Sequence, residues 1–286
     1  MISCIFAAAA AIAFSRADAE FAHSFASNMV EQCTPRDAGT VRGKIAANWI
    51  LDRVSAQGAD IRRDCFTART PKGMRDFTNL YCMFKAPTNT GWTVLVSHFD
   101  TKPGTNCPGA NDGASTSGLL AAFAASLSRQ AHLKGNLMLI WTDGEECMVS
   151  YGQDDGFWGS RRAAAQMAAR GMDVRAVICL DMLGDRDLKI TIPANGDRTL
   201  AKIALHTARR AGLEGLVELS ADTVKDDHVP FLDAGWRAID LIDFDYGGKP
   251  GLNDWWHTPH DTIDKTSVDS LEKSGRLVAE LLNLLL

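Results

Sequence analysis

From Trp92 onward, short apolar segments alternate with amphipathic ones, and this alternation limits the available folds more than any other property of the chain. Strands are expected over 92–97, 135–142, 174–181 and 237–243, and helices over 115–129, 159–170, 198–211 and 267–285. Consecutive strands separated by a helix cannot close as hairpins. They pair in parallel, and the crossovers cover both faces of the sheet. Upstream, "TVRGKIAANWILDRVSAQG" places apolar residues at Val41, Ile45, Trp49, Ile50 and Val54, between a Thr40 cap and a stop at Gly58, which predicts a helix. "IRRDCFTART" and "FTNLYCMFKA", on either side of Pro71-Lys72-Gly73, read as a β-hairpin leading into the first parallel strand. The expected architecture is an α/β three-layer αβα sandwich with a mostly parallel, mixed central sheet.

At 286 residues, 46% hydrophobic and 23% charged, the chain has enough apolar material for one large core. Its net charge of −5, with no basic run longer than Arg161-Arg162 or Arg209-Arg210, argues against nucleic acid or an anionic membrane as partner. The apolar stretch from Ile5 to Phe14, followed by Ala17-Asp18-Ala19, has the form of an export signal with a small-residue cleavage site. A signal over 1–19, a single catalytic domain over 20–286 and a secreted or periplasmic location are therefore expected. No segment has the roughly 20 apolar residues of a membrane-spanning helix. In an oxidising compartment, Cys65 with Cys82, across the hairpin, and Cys107 with Cys147 are the pairs to test as disulfides, whereas Cys179 inside "AVICLDM" reads as a buried thiol.

Sites in open α/β sheets form at the carboxyl ends of the strands. Here those ends carry Ser97-His98-Phe99-Asp100, then Asp143-Gly144-Glu145-Glu146, then Asp181, then Asp243 and "WWHTPHDT". Singly, such residues are turn formers, caps or solvated charges. Together, His98, Asp112, Glu146, Asp181 and His257 form a mixed nitrogen and oxygen donor set suited to zinc. Two adjacent glutamates at the end of a buried strand also require a positive partner, because each buried charge costs several kcal/mol without one.

"SHFD", "GANDGAS", "DGEE", "LDMLG", "DDHVPFLDAG" and "WWHTPHDT" occur in the order and spacing of the M28 zinc exopeptidases, and the resemblance runs from about Trp92 to the C-terminus. Within that superfamily the chain most resembles the animal-type glutaminyl cyclases. Asp226, where aminopeptidases more often have Ser, and Trp256 immediately before the His of "WHT" carry that part of the resemblance. It implies a zinc-exopeptidase fold acting on peptide or protein N-termini. It also implies one zinc ion on Asp112, Glu146 and His257, with His98 and Asp181 completing a second site if the centre is dinuclear. Glu145 becomes the acid/base, Asp226 and Asp181 fix the substrate amide, and Trp256 forms an apolar wall.

The chain departs from that pattern at three places. Tyr151 stands where a pocket Trp is expected, Asp240 where a His is expected, and "LIDFDYGGKPGLND" is longer than in the animal enzymes. His228 and Asp227 read as structural, since both metal positions are already supplied. The rival on the same scaffold is a di-zinc aminopeptidase with Glu145 as base toward a bridging water. A non-catalytic binding protein would show eroded ligands, and none is eroded here.

Overall fold

The computed structural model describes residues 11–87, 91–130 and 133–286. Its elements follow in the order α1 (Arg16–Cys33), α2 (Val41–Ser55), β1 (Ile61–Thr70), β2 (Gly73–Phe84), β3 (Trp92–His98), α3 (Thr116–Leu127), β4 (Asn136–Thr142), α4 (Trp158–Ala169), β5 (Val174–Asp181), β6 (Ile190–Ile192), α5 (Arg198–Arg210), β7 (Val217–Leu219), α6 (Val229–Asp233), β8 (Ala238–Ile242) and α7 (Val268–Leu285). The strands form one eight-stranded sheet in the order β1-β2-β4-β3-β5-β8-β6-β7. β3 pairs in parallel with both β4 and β5, and β5 with β8, while the hairpin adds antiparallel strands at one edge. The chain leaves β3 for β4 on one side and returns for β5 on the other, so the carboxyl end of β3 is a switch point where a crevice must open.

Alternation along the central strands sorts side chains between two cores. Leu95, Leu139, Ile178 and Ile239 bury against α1, α3 and α7, and Val94, Val96, Met138 and Ile140 bury against Ala163 and Met167 of α4 and Phe231 of α6. α3 is apolar on all sides, and every residue from Thr116 to Ala125 is buried. α2 begins as expected, with the Thr40 hydroxyl accepting the Gly43 N–H at 3.1 Å.

Residues 1–10, most of the segment read as an export signal, lie outside the described residues, but the remainder of that segment is built into the fold. Ile12 and Phe14 are buried, and Ser15 and Asp18 form a reciprocal capping box at the start of α1, where Ala19 packs into the core. Cleavage after Ala19 would remove all of these. One expectation, the pairing of the cysteines, needs correction. The hairpin turns on Pro71 and Lys72 in a register that sets Cys65 opposite Thr78 and Cys82 opposite Ile61. The two sulfurs are therefore four positions out of step, too far for a bridge. Cys107 and Cys147 are free thiols as well, the first facing the Asp261 carboxylate and the second the Lys102 ammonium.

Candidate metal centre and catalytic pocket

Backbone clamps aim Glu146 and Asp112. Asp100, just beyond β3, accepts three N–H groups of the loop that leaves β4: Gly144 (2.9 Å) and Glu145 (3.2 Å) on Oδ1, and Glu146 (3.1 Å) on Oδ2. Asp143 is also structural, accepting the Thr78 N–H at 2.8 Å. Gly144 has φ of +80, and a Cβ there would lie 2.7 Å from the Phe77 ring, so this turn of "DGEE" accepts only glycine. Asp112 is held from behind. Asp261 accepts the N–H groups of Asn111 (2.8 Å) and Asp112 (3.2 Å) and the Tyr246 hydroxyl (2.6 Å). Arg36, wholly buried, donates to the carbonyls of Phe99, Pro108 and Gly109 around the same loop. A Cβ at Gly113 would meet His98 Nε2 at 2.7 Å, so this glycine lets the imidazole approach. His257 adopts φ of +58, a left-handed conformation that is costly for a residue with a Cβ, and Trp256 stacks on its ring at 3.7 Å.

These clamps bring the predicted ligands together. His257 Nε2 lies 2.8 Å from Glu146 Oε1 and 3.4 Å from Asp112 Oδ2. His98 Nε2 lies 3.0 Å from Asp112 Oδ1 and 3.1 Å from Asp181 Oδ1. Asp112 thus turns one oxygen to each group. Zinc bonds of about 2.0–2.2 Å in tetrahedral array place ligand atoms roughly 3.3 Å apart, close to the spacing of the Asp112, Glu146 and His257 donors. Asp112 Oδ2 is buried and accepts no hydrogen bond, the condition expected of an oxygen that belongs to a cation. The donor set and its geometry therefore fit a divalent metal.

The two adjacent glutamates have different surroundings. Glu146 Oε2 takes the Tyr151 hydroxyl at 2.6 Å and Lys102 Nζ at 3.4 Å, leaving Oε1 for the metal side. Glu145 has only a longer contact to the same hydroxyl, 3.2 Å. Burial, reinforced by the charges of Glu146 and Asp226, pushes its carboxyl well above the usual range. Burial and the charge of Asp181 raise Asp226 to about 7, and burial raises Asp181 to about 6. Asp112 moves the other way: burial opposes ionisation, but the imidazoles of His257 and His98 override it and hold the carboxyl well below its ordinary value. His257 is raised to about 9, the contacts with Asp112 and Glu146 outweighing its burial.

A cavity of about 330 Å³ opens over these groups. Asp112, Glu146 and His257 stand in its wall with Glu145, Asp181 and Asp226, and the rim carries Tyr151, Trp256 and Phe244. Every residue singled out in the sequence for metal, acid/base or substrate contact lines this space, except His98, which lies behind Asp112 and Asp181. His228 is structural, as read: it is buried, its Nε2 accepts from Asn195 Nδ2 at 3.0 Å, and burial lowers it to about 4. Asp240 lies buried beside Asp226 and Cys179, and neither of its oxygens has a hydrogen-bond partner. Burial, then the charges of Asp226 and Asp181, drive its carboxyl well upward. Sequence reasoning did not assign Arg36, Lys102 or the clamping roles of Asp100 and Asp261. The last two stand inside the quoted motifs, whereas Arg36 is an isolated residue with no signal.

A sheet with carboxylates and imidazoles converging at its switch point defines an α/β enzyme with a candidate metal centre. The family model of peptidase family M28 matches residues 79–282, and the chain belongs to that family. It is similar to the crystal structure of a glutaminyl cyclase from an Acidobacteriales bacterium, with a TM-score of 0.88 and 30% identity over 98% of this chain and 97% of the other. It also resembles the Porphyromonas gingivalis glutaminyl cyclase, with a TM-score of 0.83 and 26% identity over 96% and 100% of the two chains. The glutaminyl-peptide cyclotransferase of Drosophila melanogaster is 28% identical over 277 residues, 86% of this chain and 76% of that protein.

Proposed function

We propose that the chain is a zinc-dependent glutaminyl-peptide cyclotransferase, converting the N-terminal glutamine of peptides or proteins to pyroglutamate with release of ammonia. The observation that carries this reading is the pairing, across one cavity, of the Trp256 ring stacked on His257 with the carboxylates of Glu145 and Asp226. An apolar wall suits the methylenes of a glutamine side chain, and the carboxylates suit its amine and amide. The likeness to cyclases of both bacterial and animal origin supports the same reading.

Asp112, Glu146 and His257 hold the zinc ion in this proposal. When bound, that ion polarises the side-chain amide carbonyl of the substrate and offsets the carboxylate charge around it. The protein's own groups do the rest. Trp256 and the rim fold the glutamine so that its α-amine approaches its own Cδ, which makes the closure intramolecular and removes most of its entropic barrier. Glu145, buried and without a full partner, accepts a proton from the α-amine as the N–Cδ bond forms. It returns that proton to the side-chain nitrogen as the Cδ–N bond breaks and ammonia leaves. Asp226 and Asp181 receive the N–H groups of the amide, and the Tyr151 hydroxyl keeps Glu146 turned away from the substrate. Export belongs to the same proposal, with the segment over 1–19 as its signal.

The His98 and Asp181 group favours one competing reading, a dinuclear aminopeptidase. Incubation with a Gln-initiated and a Leu-initiated peptide, read by mass, separates the two. Loss of ammonia from the first with the second intact is expected; shortening of the Leu peptide with no change in the Gln peptide would overturn the cyclase reading.

A further inference from the structure

The cavity wall is unevenly charged. Five carboxylates line it, Asp112, Glu145, Glu146, Asp181 and Asp226, and the one ammonium among the lining residues is Lys225. Lys102, the other nearby ammonium, is committed to Glu146 and Cys147. Lys225 has no comparable partner: among the described residues, no carboxylate oxygen lies within ion-pair distance of its Nζ. It is nevertheless held in place. Its Nζ donates to the Tyr151 carbonyl at 3.1 Å and so ties the loop before α6 to the loop after β4. The loop itself is pinned one residue earlier, where Asn195 accepts the Val224 N–H (3.1 Å) and donates to the Val224 carbonyl (2.8 Å). One donated bond leaves the ammonium two further N–H donors. An exposed, tethered and unpaired cation thus stands at the mouth, immediately before Asp226.

We infer, on the cyclisation reading above, that Lys225 is a specificity-determining residue that receives the side-chain carboxylate of an Asp or Glu following the N-terminal glutamine. With glutamine seated against Trp256 and Glu145, the next Cα lies about 3.8 Å further along the chain and is the first to reach the mouth. Phe244, Val224 and Trp256 add apolar surface to the same wall, and Lys225, the one ammonium in it, repels a cationic second residue. An ion pair at a partly exposed rim corresponds to a preference of about two- to fivefold, and it is weakened by salt.

The test is the ratio of kcat/KM values for Gln-Glu-amide and Gln-Ala-amide, with Gln-Lys-amide and the free acid Gln-Ala as further arms. The wild type is expected to favour Gln-Glu-amide over Gln-Ala-amide by about two- to fivefold at low salt, falling toward unity at 1 M salt. Lys225→Arg retains the ratio and Lys225→Met brings it close to one. Lys225→Glu, a reversal no purely structural role would produce, shifts preference to Gln-Lys-amide. A ratio of one in the wild type, or a preference that survives in Lys225→Met, overturns the inference. A gain limited to the free acid Gln-Ala also overturns it, because the carboxylate would then be that of the chain end. Failure to cyclise any of the four substrates refutes the cyclase proposal itself, a result distinct from cyclisation without preference.

Discussion

Glu145→Gln separates the two adjacent glutamates chemically while leaving their shape almost unchanged. Glu146 keeps its contacts with Tyr151, Lys102 and His257, and Asp112 keeps its oxygen facing His257, so the donors of the metal are untouched. The variant is therefore expected to bind zinc in the wild-type ratio. What it loses is a group able to take a proton from the α-amine and return it to the departing nitrogen. Removal of a general acid/base lowers turnover by about 10²–10⁴-fold, or about 3–5 kcal/mol in the barrier. A second effect has the opposite sign. The buried Glu145 carboxylate faces the charges of Glu146 and Asp226, and the neutral amide relieves that repulsion, so the metal-free variant is expected to melt above the metal-free wild type at neutral pH. Metal content by atomic absorption, ammonia release from Gln-Ala-amide and thermal melting of the chelated protein read the three quantities. Loss of zinc would show that Glu145, not Glu146, is the ligand. Activity within tenfold of wild type with zinc in place would remove Glu145 from the proton path.

Asp261→Asn replaces a carboxylate that accepts from Asn111, Asp112 and Tyr246 with a group having one acceptor oxygen. Zinc affinity is expected to fall about 10–100-fold, measured by chelator competition, and an unchanged affinity would show that Asp112 needs no support from behind. Asp243→Asn tests the acid side of the fold. Burial raises Asp243 from 3.8 to about 7, so the folded chain holds this proton more tightly than the unfolded chain. The stability it contributes is fully present below about pH 4 and is lost as pH rises through 7, a change of about 4 kcal/mol at most. Urea unfolding at pH 4.5 and 7.5 should show a smaller loss across that interval in the variant than in the wild type, and parallel losses would contradict the assignment.

The central strands and the helices between them were legible because both faces of the sheet are buried and the apolar runs are long. α2 was legible from its Thr40 cap and its spacing. The segment leading into α1 has two readings for a physical reason: Ile12, Phe14, Ala19 and Ala22 form an apolar surface whether they enter a core or an export channel, and composition alone does not tell these apart. β6 and β7, at three residues each, are too short to show a period. The cysteine pairing failed on register, which the two-residue turn at Pro71 and Lys72 fixes and residue content does not. The cluster of ligand-type residues was legible because such chemical types are unusual at strand ends and in the loops beside them. The residues that aim them were not, since Asp100, Asp261 and Arg36 act on backbone groups of segments up to about 150 residues away, and no sequence spacing encodes such a contact. Tyr151, expected as a substrate contact in place of a tryptophan, lines the cavity, and its hydroxyl also reaches both glutamates.

The residues just ahead of α1 are joined to the final helix. The Ile12 N–H donates to Asn283 Oδ1, and Asn283 Nδ2 donates to the Ile12 carbonyl, both at 2.8 Å across 271 positions of sequence. Phe14 fits over Gly275, where a Cβ would lie 2.2 Å from its ring. On a ribosome adding about 5–20 residues each second, the first helix emerges some tens of seconds before its partner exists. Until α7 arrives, α1 can dock only on α3 and its neighbours, and the part of its apolar flank that α7 covers stays open to whatever machinery meets the newborn chain first.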